Sequence, residues 1–274
     1  MTLEITPAGG VSADDYSTIN RKPMVIWDNY LTRGVFTFSS EVAEFPASHI
    51  LTEATSLYWQ PASLPAYLSI DMGAGTFADS AYIDSHDLGT VGATVIAQSS
   101  TDGLVWVDEA TSTPADDSPI MMLWRSKSRR YWRIRITGAG AEPFIGVAMI
   151  SDRLVFPTGI SPGYVPITLA RETDVLGGES LGGHFLGSRV IKRGATSAAE
   201  IPMLEKTFVD DDMYGFNLHY DDGKAFAFAS GPSVRPSDIA YCWRPPRSKS
   251  LKPNVIEDGF YSSFSMDLRA YVRT

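Results

Sequence analysis

Apolar and polar residues alternate with a period of two along much of this chain, the mark of half-buried β-strands. In AYLSIDMG, Tyr67, Ser69 and Asp71 point one way and Leu68, Ile70 and Met72 the other. In YWRIRITG, Trp132, Ile134 and Ile136 face inward while Arg133, Arg135 and Thr137 face outward. ATVIAQ (Ala93–Gln98) runs into SSTDGLVWV, where Asp102-Gly103 marks a tight reversal and the return strand starts at Leu104. PMVIW, VFTFSS, IMMLW and IGVAMISDRLVF read as further strands, and Ser48–Leu51, after Pro46, as one helical turn. Repeated short strands with turn signals, and no long amphipathic helix, predict an all-β sandwich or barrel.

PTGISPGYVP (Pro157–Pro166) breaks the pattern and predicts a boundary. The organisation expected is an N-terminal arm over 1–34, a β-sandwich over 35–157 and a second, mostly-β domain over 158–274. In that second half, Gly177–Gly187 reads as a flexible glycine-rich loop. It lacks the Lys and Ser/Thr ending of a phosphate loop. Ser197–Phe208 is the best helix candidate, limited by Pro202. Met213–Ser230 predicts a hairpin: Phe216, Leu218 and Tyr220 alternate into the Asp222-Gly223 turn, and Phe226 and Phe228 alternate out. Phe264, Met266, Leu268, Ala270 and Val272 form the apolar face of a last strand.

Composition supports a packed core: 44% of the 274 residues are apolar and 20% charged. The net charge is −9, and the one dense basic run, Trp124 to Arg135, reads as a solvated strand edge, so nucleic acid is not an expected partner. Cys242 is the single cysteine, which excludes an internal disulfide. The first residues lack the basic and apolar regions of a secretory signal, and no apolar run is long enough for membrane insertion.

The material for catalysis is poor, and the chain is expected not to be an enzyme. His49, His86, His184 and His219 are scattered. Ser85, His86 and Asp87 are adjacent on a strand, so they cannot converge as a triad. Asp210, Asp212 and Gly215 resemble the start of a calcium loop, but Tyr214 stands where an oxygen ligand is needed. No cofactor and no metal are expected. Binding has better material, because sugars suit aromatic platforms beside polar groups. Tyr58, Trp59, Trp106 and Trp124 lie in or near loops. Trp106 and Trp132 read as core, and Tyr58 and Trp59 as the exposed candidates.

The order of LYWQPASLPAYLSIDMG, AQSSTDGLVW, RRYWRIRI and AMISDRLVF, from about Val35 to Phe156, resembles the discoidin or galactose-binding-like jelly roll. That resemblance implies a sandwich that binds saccharides, lipid head groups or protein surfaces through loops at one end. Some members hold calcium there. Here only Glu53 and Asp152 stand as carboxylates for it, too few for a hard cation. The ligand-binding residues expected are Tyr58, Trp59, Glu53 and Trp124.

NLHYDDGKAFAFASGPSVRPSDIAYCWR and the terminal YSSFSMDLRAYV are similar to C-terminal parts of bacteriophage minor tail proteins. That resemblance implies a tail-tip (distal tail or baseplate) component, assembled in the host cytoplasm and located in the virion. It would form a trimeric or hexameric ring, with the N-terminal arm and Arg244–Pro253 as clasps. Its partners would be further copies of itself, other phage tail proteins and a host-surface glycan. The alternative is a soluble carbohydrate-binding, lectin-like protein outside any virion.

Overall fold

The computed structural model describes residues 2–5, 20–138, 140–253 and 260–272. The rest of the expected N-terminal arm, residues 1 and 6–19, lies outside the described residues. The chain is mostly β, as its alternation predicts. Its strands are β1 (Thr2–Ile5), β2 (Met24–Ile26), β3 (Val35–Phe38), β4 (Ala66–His86), β5 (Thr94–Ser100), β6 (Val107–Ser112), β7 (Ile120–Thr137), β8 (Ile145–Ser151), β9 (Leu154–Val155), β10 (Arg171–Glu179), β11 (Phe185–Glu205), β12 (Phe226–Ala229), β13 (Ile239–Trp243) and β14 (Phe260–Ala270). One α-helix, α1 (Tyr214–Asp221), is found among the described residues.

The first half is a sandwich built by two long strands that serve both layers. Leu68 to Asp71 of β4 pair with Ile134 to Tyr131 of β7, and Ser80 to Ile83 of β4 pair with Leu123 to Ile120. Between these stretches the register shifts around Gly73, which sits at φ 75°. A glycine adopts that conformation without a Cβ penalty, so the ribbon bends there from one layer into the other. The outer layer runs β3, β4, β7, β5, β6; β8 flanks the far part of β4, and β1 pairs in parallel with the start of β7. IMMLW and YWRIRITG, read as separate strands from sequence, are therefore halves of β7, and AYLSIDMG is the first half of β4. Leu68, Ile70, Trp132, Ile134 and Ile136 pack against Ala81, Ile83, Met122 and Ile150 to form the sandwich core.

The second half is one antiparallel sheet in the order β10, β11, β14, β13, β12, β2, β9. It recruits β2 from before the sandwich and β9 from its exit. Its inner strands are apolar without alternation because both faces are covered. Val25, Phe226, Phe228 and Cys242 face a core closed by α1, whereas Met24, Ile26, Ala227, Ile239 and Tyr241 meet Tyr82, Met121, Leu123, Val147 and Met149 of the sandwich. The two halves thus share a third apolar layer. Pro157–Pro166 follows this sheet closely: Ser161 N–H donates to the Glu200 carbonyl at 2.8 Å and Tyr164 Oη to Asp238 at 2.8 Å.

Three local expectations are corrected. Ser197–Phe208 is not a helix, since β11 runs through Glu205 and pairs with β14. Ala199 and Ile201 alternate into the core, and Pro202 is tolerated because β10 no longer pairs with that stretch. Met213–Ser230 is not a hairpin. Met213, Phe216 and Tyr220 are buried at a helical spacing, Leu218 is exposed, and Gly223 at φ 73° follows the end of α1. Gly177–Gly187 is a loop only over 180–184, its flanks forming the ends of the β10 and β11 strands.

Candidate functional site

The four residues expected to line a ligand site do not come together. Trp59 is fully buried, its indole N–H donating to the Ser40 carbonyl at 3.0 Å. Its backbone exchanges hydrogen bonds of 2.8 and 2.9 Å with Ile145. Trp124 is also core, stacked on Trp132 with 6.0 Å between ring centroids and donating to the Ala78 carbonyl at 3.1 Å. A ring closed in on all sides offers no platform, so the expectation for both tryptophans is corrected. Tyr58 is half-buried between Phe45, 4.6 Å away and stacked, and Phe144 at 5.0 Å. Glu53 turns to the other half, where Oε2 accepts from Ala225 N–H at 3.2 Å.

Trp132 is core as expected, but Trp106 is not. The strand predicted from Leu104 begins only at Val107, because Asp102 Oδ1 accepts from the N–H groups of both Leu104 and Val105, at 2.8 and 2.9 Å. That turn carries Trp106 onto the outer layer, half-exposed. The basic run, expected at a strand edge, instead lies within β7 between β4 and β5, and two of its cations meet carboxylates: Lys127 reaches Glu109 at 2.6 Å, and Arg130 holds Asp71 through two bonds of 2.7 and 2.8 Å. That pairing holds the Asp71 carboxyl down at about 2.

Ser85, His86 and Asp87 each engage backbone. Ser85 Oγ donates to the Thr55 carbonyl at 2.8 Å, His86 Nε2 to that of Ser118 at 3.0 Å, and Asp87 accepts from Phe144 N–H at 2.8 Å. Among the described residues no group of three or more His, Cys, Asp or Glu could hold a metal ion.

The most unusual surface is the β10–β11 hairpin. Beyond Ala195, β11 leaves β14, and the two strands continue as a bare ribbon. Val175 pairs with Val190, and Leu176, Phe185, Leu186 and Ile191 join them, all exposed. A two-stranded ribbon is marginal in water by itself, and exposed apolar patches mark contact surfaces. Its strands differ in charge. Asp174 and Glu179 stand on β10, and Arg189, Lys192 and Arg193 on β11. A groove of 880 Å³ runs beside it, lined by Ile191, Trp243, Pro245 and Tyr271 among others. No pattern of alternation revealed this ribbon, because both of its faces are solvated. The nearest signal in the sequence was apolar residues interleaved with glycine from Val175 to Leu186.

No family model matches the chain, and no curated protein does. Several solved structures share part of its shape. Chitosan-binding module 1 of a Paenibacillus sp. IK-5 chitosanase/glucanase is 18% identical, covering 44% of this chain and 97% of that one, with a TM-score of 0.39. A Clostridium perfringens module in complex with GalNAc-β-1,3-galactose is 10% identical, covering 45% and 99%, with a TM-score of 0.39. A pectin-binding carbohydrate-binding module is 15% identical, covering 42% and 88%, with a TM-score of 0.37. Likenesses this distant leave the ligand of this chain to its own residues.

Proposed function

We propose that this protein is a non-catalytic assembly component whose copies join through the β10–β11 ribbon, with the sandwich displayed outward to touch saccharide. The ribbon is the observation that carries the reading. The outer edge of β10 and the edge of β11 through Arg189–Arg193 pair with no strand among the described residues. An edge strand invites another strand, and opposite charge selects which one. Acidic β10 of one copy suits basic β11 of the next, with the apolar side chains of both ribbons meeting across the joint. Such a contact is head-to-tail, so it closes into a ring when the rotation per copy allows. Three or six copies fit the reading as a phage tail-tip component, which rests on the sequence resemblance of the second half. Negative-stain imaging of the purified full chain tests it: closed rings support it, and single particles of one chain's size contradict it.

The half-exposed Trp106 favours a second reading, a soluble saccharide-binding protein. That protein would stay monomeric at every concentration and still be retained by a saccharide.

A further inference from the structure

The outer layer of the sandwich presents Tyr67, Arg133, Arg135 and Trp106 on one half-exposed face, beside the buried Gln98. The pairing register sets this arrangement. Arg135 lies between Tyr67 and Ile96, and Arg133 between Ser69 and Gln98, with all outward positions in phase. Arg133 is held on three sides. Its guanidinium lies 3.9 Å from the Trp106 ring centroid and 5.6 Å from that of Tyr67. Its Nε donates to Gln98 Oε1 at 2.6 Å, and Gln98 in turn donates its amide N–H to Asp108. The Asp102 turn delivers Trp106, and Asp108 fixes the amide, so the guanidinium is oriented before any ligand arrives.

The side chain is thereby fixed, and although the Asp108 carboxylate acts on it from nearby, none among the described residues bonds its terminal nitrogens. Two other cations of β7 are matched, Lys127 by Glu109 and Arg130 by Asp71. Neither Arg133 nor Arg135 has an ion pair among the described residues, in a chain whose net charge is −9. A planar guanidinium with its outer edge free suits a carboxylate, which it can grip through two parallel bonds. The flanking Tyr67 and Trp106 rings suit the C–H face of a pyranose. We infer that this face binds an acidic saccharide, a uronic-acid type of sugar, with its carboxylate on Arg133 and Arg135 and its ring on the aromatic side chains. The inference rests on the saccharide part of the proposed function and names the ligand class and the site.

Affinity electrophoresis of the full chain in alginate, a polyuronate, tests it against alginate esterified at its carboxyl groups and against neutral dextran. Alginate should retard the protein, and the ester and dextran should not. Arg133→Lys keeps the charge and loses the fork, so it should weaken retardation about tenfold. Arg135→Gln, on a half-exposed side chain, should weaken it severalfold with an unchanged melting temperature. Equal retardation by the ester, or by dextran sulfate independently of both arginines, overturns the inference. Retardation by dextran alone overturns it but leaves saccharide binding standing, whereas retardation by none of these polymers overturns both.

Discussion

Tyr82 of the sandwich stacks on Tyr241 of the second sheet, with 6.3 Å between ring centroids and 16° between planes. Tyr82 is fully buried, and its hydroxyl donates to Asp84 at 2.7 Å. The pair sits in the apolar layer that both halves share. The halves should therefore unfold together, and Tyr82→Ala should cost about 3–5 kcal/mol, as large-to-small changes of buried aromatic residues do. Calorimetry of the full chain should show one transition, lowered as a whole in the variant. Two transitions, with only one lowered, would contradict a shared core.

Trp59 gives a second test. Fully enclosed, and bonded through its ring and its backbone, it is structural. Trp59→Ala should destabilise the protein by about 3–5 kcal/mol in urea denaturation. A variant as stable as the parent would place the ring at the surface after all.

Asp79 gives a test by pH. It is buried beside Arg153, 3.2 Å from its Nε, and accepts from Arg153 N–H at 2.9 Å. Burial raises its carboxyl to about 7, against the opposing pull of Arg153. The folded state thus holds a proton that an unfolded Asp gives up near 3.8. The resulting stabilisation is fully present below pH 3.8 and is lost as pH rises through about 7. Asp79→Asn should remove this fall, so melting temperatures measured from pH 4 to pH 8 should decline less in the variant. Parallel curves would show that Asp79 does not titrate in that range.

Much of the fold was legible where one face is buried. Leu68 and Ile70 against Tyr67 and Ser69, or Ile134 and Ile136 against Arg133 and Arg135, announce their strands and their faces. Legibility failed where tertiary pairing or two-sided burial decides. Phe216 and Tyr220 fit a strand and a helix equally, and the burial of Met213 with the exposure of Leu218 separates the two. Good helix formers around Glu200 were overridden by pairing with β14. The candidate surfaces were the least legible part. Trp59 and Trp106 both adjoin turns in the sequence, and only the chain's path buries the first and lays the second over Arg133.

The central claim is that copies of this chain join through the β10–β11 ribbon. Sedimentation equilibrium of the full chain and of a Leu186→Asp, Ile191→Asp variant tests it most directly. Both side chains are exposed, so the changes should leave the fold intact. The parent should sediment as a discrete multiple of 29.9 kDa and the variant as a single chain of the same melting temperature. A parent that stays at 29.9 kDa over the whole concentration range, or a variant that assembles as the parent does, would contradict the account.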